Sequence, residues 1–146
     1  MGLRDIHFFF EETDFSLKRR QTLREWLKDC CINEARKPGF INYIFCSDEY
    51  LLNINKQYLD HHYYTDIITF DQSDRPVFVD ADLFISVDRA KDQAKDFEVS
   101  FSEEIHRLMV HGLLHLLGYD DKSSADKQLM TKKEDYYLSL LAEKIK

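Results

Sequence analysis

The chain of 146 residues is near the usual length of one domain, and 44% of it is apolar, with eleven Phe, eight Tyr and one Trp. That supports a single hydrophobic core over residues 1–146 and excludes global disorder. A net charge of −7 excludes nucleic-acid binding by bulk charge, so a polyanionic partner must meet a local basic patch or a metal.

Four Gly and two Pro in the whole chain argue for regular elements and few irregular loops. The opening stretch MGLRDIHFFFEETD lacks a signal-peptide layout, because its apolar run is three Phe long and acids follow. Ile6 stands where N-myristoylation requires Ser or Thr. IHFFFE, residues 6 to 11, reads as the first strand. A helix is expected from about Ser16, with Leu23, Trp26, Leu27 and Cys30 spaced i, i+3, i+4, i+7.

KPG at 37 to 39 reads as a turn and FINYIFCS as a strand. Ser47 is placed to cap a helix running to about Leu59. TDIITF (65 to 70) and ADLFIS (81 to 86) read as strands, with DQSDRP as the loop between them. A helix is expected over 87 to 97.

The next helix opens with Ser100 and Glu103 in capping-box spacing and carries Ile105, Leu108, Met109, Gly112 and Leu116 at helical intervals. Gly118 is placed to stop it. Ser123 and Asp126 open a last helix whose Met130, Tyr137 and Leu141 face inward. The expected fold is α+β, with an approximately four-stranded mixed sheet packed by about five helices.

Cys30, Cys31 and Cys46 form no CxxC pair, and their number is odd. A disulfide framework or thiolate-bound zinc is therefore not expected, and a reducing cytoplasm is. No apolar run approaches the ~20 residues of a membrane span, so no membrane partner is expected.

HGLLHLLGYDD, residues 111 to 121, carries the chemistry. His111 and His115 are i, i+4, so their rings lie on one helix face and two imidazole nitrogens can reach one zinc. Gly118 turns the chain back, and Asp121 can supply a third ligand. Three protein ligands and one open position is the layout of a catalytic zinc. The plainer alternative is an apolar helix with two hydrogen-bonded histidines. The pattern H-x3-H-x2-G-x2-D follows the metzincin layout, but Gly112 stands where those proteases carry their catalytic Glu, which weakens a peptidase reading.

The longer stretch EEIHRLMVHGLLHLLGYDD resembles the signature of the YbeY family of metal-dependent endoribonucleases and rRNA maturation factors. SDEYLLNINKQYL, TDIITF, ADLFIS and the tail at Met130 and Glu134 are similar to further family motifs in the same order. The resemblance implies a zincin-like metal helix with His111, His115 and Asp121 as ligands to zinc or another divalent metal. It also implies a bacterial cytoplasmic protein that cleaves single-stranded RNA, acts on the 3′ end of small-subunit rRNA and works in ribosome quality control, with the ribosomal small subunit as partner.

Two positions depart from the family pattern. Its third histidine is Asp121 here, whose charge weakens a bound metal as a Lewis acid and makes the site harder. Its arginine ahead of TDIITF is Leu59 here, which removes a phosphate clamp.

Candidates for that lost duty are His61, His62 and Arg107. Arg107 lies one turn before His111 and joins His111 and His115 in the candidate catalytic set; its other reading is an ion-pair partner. Asp120 is close to the ligands but reads equally as orienting the turn. Asp66 and Asp82 sit at strand ends, where a structural role competes. Lys18, Arg19, Arg20 and Arg24 form a basic cluster for RNA or a solvated helix face. Tyr63 and Tyr64 are candidates for stacking on unpaired bases or for anchoring a loop.

Three readings compete: a metal-dependent ribonuclease in rRNA maturation, a non-catalytic ribosome-assembly factor with a structural metal, and a zinc hydrolase of another class such as a peptidase.

Overall fold

The computed structural model describes residues 5–146; Met1 to Arg4 lie outside the described residues, and with them the start of the stretch read above for targeting signals. The elements are β1 (Ile6–Glu11), α1 (Arg20–Asn33), β2 (Lys37–Cys46), α2 (Asp48–Leu59), β3 (Ile67–Asp71), β4 (Phe78–Ser86), α3 (Val87–Asp96), α4 (Phe101–Leu116) and α5 (Ser124–Ile145). The fold is the expected α+β arrangement: four strands in the order β1-β2-β4-β3, with β1, β2 and β4 parallel and β3 antiparallel to β4.

Strand alternation divides the sheet into two faces. Ile41, Tyr43 and Phe45 of β2 and Ala81, Leu83 and Ile85 of β4 are buried in the main core, which they share with α1, α4 and α5. The intervening residues turn the other way, where Cys46 and Ile68 meet Leu51 of α2. Tyr43 donates from the main core to the carbonyl of Met109 (2.9 Å), fixing α4 to the sheet. Trp26 Nε1 donates to the Tyr137 carbonyl (2.7 Å) and joins α1 to α5. Gly112 lets α4 approach the sheet closely, since a Cβ there would lie 2.7 Å from both Ile67 Cδ1 and Leu83 Cδ2.

The structure corrects two expectations. The first helix begins at Arg20 and not near Ser16, because Arg19 adopts the left-handed region (φ 58°), which a helix cannot enter through. KPG is no turn. It lies inside β2, where the pairing with β4 shifts between Pro38 and Ile41. The Pro-Gly signal marks a bulge: Asp80 comes in over Gly39 and accepts from the Phe40 amide at 2.8 Å.

Candidate metal centre

Helix α4 supplies the first two candidate ligand positions. Ser100 caps it by accepting from the Glu103 amide, and the last turns carry His111 and His115 with ring centroids 4.6 Å apart. The helix then ends in a Schellman arrangement. Gly118, at φ 107°, donates to the His115 carbonyl, and Tyr119 donates to that of Leu114, both at 3.0 Å. Tyr119 is pinned by donating to Glu34 at 2.6 Å. The reversed chain brings Asp121 back over the histidines.

The three side chains form the single group of potential metal ligands found among the described residues, with ligand atoms within 4.8 Å of one another. His115 Nε2 lies 3.1 Å from His111 Nε2, and Asp121 Oδ2 lies 3.5 Å from His111 Nε2 and 3.3 Å from His115 Nε2. A tetrahedral ion with bonds of ~2.0–2.1 Å separates neighbouring donors by ~3.3–3.4 Å. The donor set therefore fits one face of a tetrahedron around a small divalent metal. Two imidazole nitrogens and a carboxylate suit zinc and also admit harder ions.

Behind His111 stands Glu134 of α5. Its Oε2 lies 2.6 Å from His111 Nδ1, while its Oε1 accepts from Arg107 at 2.8 Å. A proton on Nδ1 leaves the Nε2 lone pair directed at Asp121 and His115, the orientation a metal ligand needs. Burial acts to lower the His111 pKa, but the hydrogen bond and charge of Glu134, with Asp121 and Asp66 beyond, outweigh it and hold the imidazole above its ordinary value. In the sequence Glu134 is a family match with no role attached. The signal was a carboxylate on the inward stripe of Met130, Tyr137 and Leu141.

Of the other candidates, Arg107 is on the expected face, beside His111. Its guanidinium is held by Glu134 and by Asp135, each at 2.8 Å. Asp66 accepts from Gln93 (3.0 Å), and Asp82 accepts from Asn42 (3.0 Å) and Gln72 (3.1 Å). The Asp120 side chain is exposed. His61 pairs locally with Tyr63 and His62 with Asp60, while Tyr64 donates to Glu49 in the first turn of α2. Arg20 and Arg24 lie over the rings of Phe10 and Phe8, each 5.0 Å from the centroid, and Arg24 donates to the Ile6 carbonyl. Both therefore lie against β1, Arg24 half-buried and Arg20 still exposed, as are Lys18 and Arg19.

Fold and donor set together define an α+β protein with a candidate metal centre of zincin type, two histidines from one helix and an acid beyond its glycine stop. The family model described as Endoribonuclease YbeY matches residues 7–142, and the chain belongs to the YbeY family. It is 49% identical over 135 residues to a Cytophaga hutchinsonii protein named Endoribonuclease YbeY, covering 92% of this chain and 94% of the relative. A protein of the same name from Flavobacterium johnsoniae is 48% identical over 132 residues, covering 90% and 94%. A solution structure of a Thermotoga maritima protein shares the fold with a TM-score of 0.64 at 22% identity, covering 92% of this chain and 88% of that one.

Proposed function

We propose that the chain, taken as one domain over residues 1–146, is a metal-dependent endoribonuclease acting on single-stranded RNA. Its role would be 3′-end maturation of 16S rRNA and ribosome quality control, in the cytoplasm and with the small subunit as partner. The observation that carries this reading is the donor triangle of His111, His115 and Asp121, backed by Glu134, in a chain nearly half identical to a relative named as an endoribonuclease. Among the described residues no helix is long and apolar enough to cross a membrane, and the three cysteines are free and buried.

A divalent metal, zinc first, would be held by His111, His115 and Asp121 and would supply Lewis acidity toward a phosphoryl oxygen. The protein's own part is preorganisation. Glu134 keeps the proton of His111 on Nδ1, and Arg107 fixes Glu134 while balancing its charge. Asp121 adds a negative charge that tempers the centre. Gly112, pressed against Ile67 and Leu83, leaves no room for the glutamate of a peptidase.

The test is cleavage of a single-stranded RNA by rigorously repurified protein. Activity should require added divalent metal and vanish in His115→Ala; the parent should carry about one equivalent of metal, and the His111→Ala/His115→Ala protein should lose it. Cleavage that survives His115→Ala belongs elsewhere. No cleavage with any metal, together with normal binding to small subunits, would establish an assembly factor instead.

A further inference from the structure

A cavity of about 510 Å³ opens beside His111, between the end of α3, the outer face of α4 and α5, and Glu104 lines it. Glu104 as a whole is 3% exposed, no hydrogen bond or ion pair of its side chain is seen among the described residues, and its carboxyl keeps its remaining accessibility toward the cavity it lines. Its neighbours in the same wall are all engaged: Glu134 and Asp135 hold Arg107, and Asp66 holds Gln93. Desolvating a carboxyl without a hydrogen-bond partner is costly, and a largely buried acid opening only into a cleft marks a candidate ligand site.

The cavity's chemistry narrows the ligand. Four carboxylates, Asp66, Glu104, Glu134 and Asp135, face one guanidinium that is already paired, so a phosphate is repelled. The carboxylates do not converge on a second cation either, since the single ligand cluster among the described residues is the one at His111, His115 and Asp121. Of the groups that an RNA strand offers, a neutral, flat, donor-bearing base suits this lining best. Phe97, 64% exposed at the rim, offers a ring face, and Leu108 gives an apolar wall.

We propose that this cavity is a nucleobase subsite in which Glu104 accepts the two adjacent N–H donors of a guanine edge and Phe97 stacks on the base. Among the four RNA bases, guanine alone carries two neighbouring donors, N1–H and the N2 amino group, on one edge. An ionised carboxylate has two oxygens to receive them. His111 lines the cavity as well as carrying a candidate metal-ligand position, so a base seated here lies beside the metal centre. Burial pushes Glu104 up to about 7, with Arg107 pulling it down and Asp66, Glu134 and Glu103 pushing it further. A pair of N–H donors stabilises the ionised form. The inference rests on the ribonuclease reading and names the base it selects.

The test uses the full-length, metal-loaded protein and the nucleoside 5′-monophosphates GMP, IMP, AMP, CMP and UMP, which share one phosphate and have no phosphodiester bond to cleave. Backbone amide shifts in NMR titrations report affinity and location. GMP should bind roughly tenfold more tightly than AMP, CMP or UMP, shifting residues around Glu104, with IMP, which lacks the N2 amino group, in between. Glu104→Gln, which keeps the size and offers a single acceptor, should bring GMP level with the others, and Phe97→Ala should weaken all five alike. Equal binding of the nucleotides, no binding near Glu104, or a GMP preference that survives in Glu104→Gln would overturn the subsite. RNA cleavage with no base preference sinks this inference alone. GMP preference without RNA cleavage sinks the nuclease reading and leaves the subsite standing.

Discussion

Glu134 of α5 lies 2.6 Å, through Oε2, from Nδ1 of His111, and it reaches that imidazole across 23 residues of chain. One histidine of the candidate metal pair is thus oriented from the last helix and not from its own. A second carboxylate oxygen tied to Arg107 prevents Glu134 from turning away.

Glu134→Gln should therefore lower metal affinity about 10- to 100-fold with the three ligands untouched. Arg107→Met should have a smaller effect in the same direction. Competition with a chromophoric zinc chelator measures both. Unchanged affinity in Glu134→Gln would show that His111 needs no partner to hold its orientation.

Chelation should leave a folded chain. The main core joins the sheet to α1, α4 and α5 through residues such as Trp26, Tyr43 and Leu113, independently of the ligands. Removing a metal present at ~100- to 1,000-fold over its dissociation constant costs about 2.7–4.1 kcal/mol by linkage. Thermal melts with and without chelator should show a shift of that size with the helical circular dichroism retained. Collapse of the helical signal would mark the metal as structural.

Leu59 ends α2 and is 40% exposed, so an arginine there disturbs no core. If the missing cation limits catalysis, Leu59→Arg should raise RNA cleavage by roughly 10- to 150-fold, the worth of one charge-assisted contact realised in the transition state. An unchanged rate would show that phosphate is bound without this position.

Glu104 provides a test by pH. Its folded value of about 7 lies above the ordinary 4.5, so between these values the folded state holds more protons than the unfolded one. Stability then falls as pH rises from 4.5 to 7 and is flat beyond. Glu104→Gln removes this loss. Relative to the parent, it should gain on the order of 1–2 kcal/mol at pH 8 over its standing at pH 4, after allowance for solvent in the open cavity. Parallel stability curves for the two proteins across that range would show that Glu104 ionises freely.

Much of this molecule was written in short-range pattern. The i, i+4 spacing of His111 and His115 puts both on one face, Gly118 permits the positive φ that ends α4, and Ser47, Ser100 and Ser123 cap the helices they precede. These features are legible because helix period, caps and stops depend on neighbours within about one turn. Family motifs added order and spacing to the strands.

Tertiary structure decided the rest. Nothing local in KPG tells a turn from a bulge; the approach of Asp80 to Gly39 makes it a bulge in β2. Arg20 and Arg24 look like an RNA-facing pair until β1 places Phe10 and Phe8 beneath them. Arg107 and Glu104 are near neighbours on α4, yet one is held by Glu134 and Asp135 while the other lines a cavity without a hydrogen-bond partner. The sequence by itself determined which residues could ligate a metal. Which carboxylate orients them, which cations are engaged and where the cleft opens were set by the packing of α3, α4 and α5, because side-chain pairing between distant segments depends on contacts that no local period encodes.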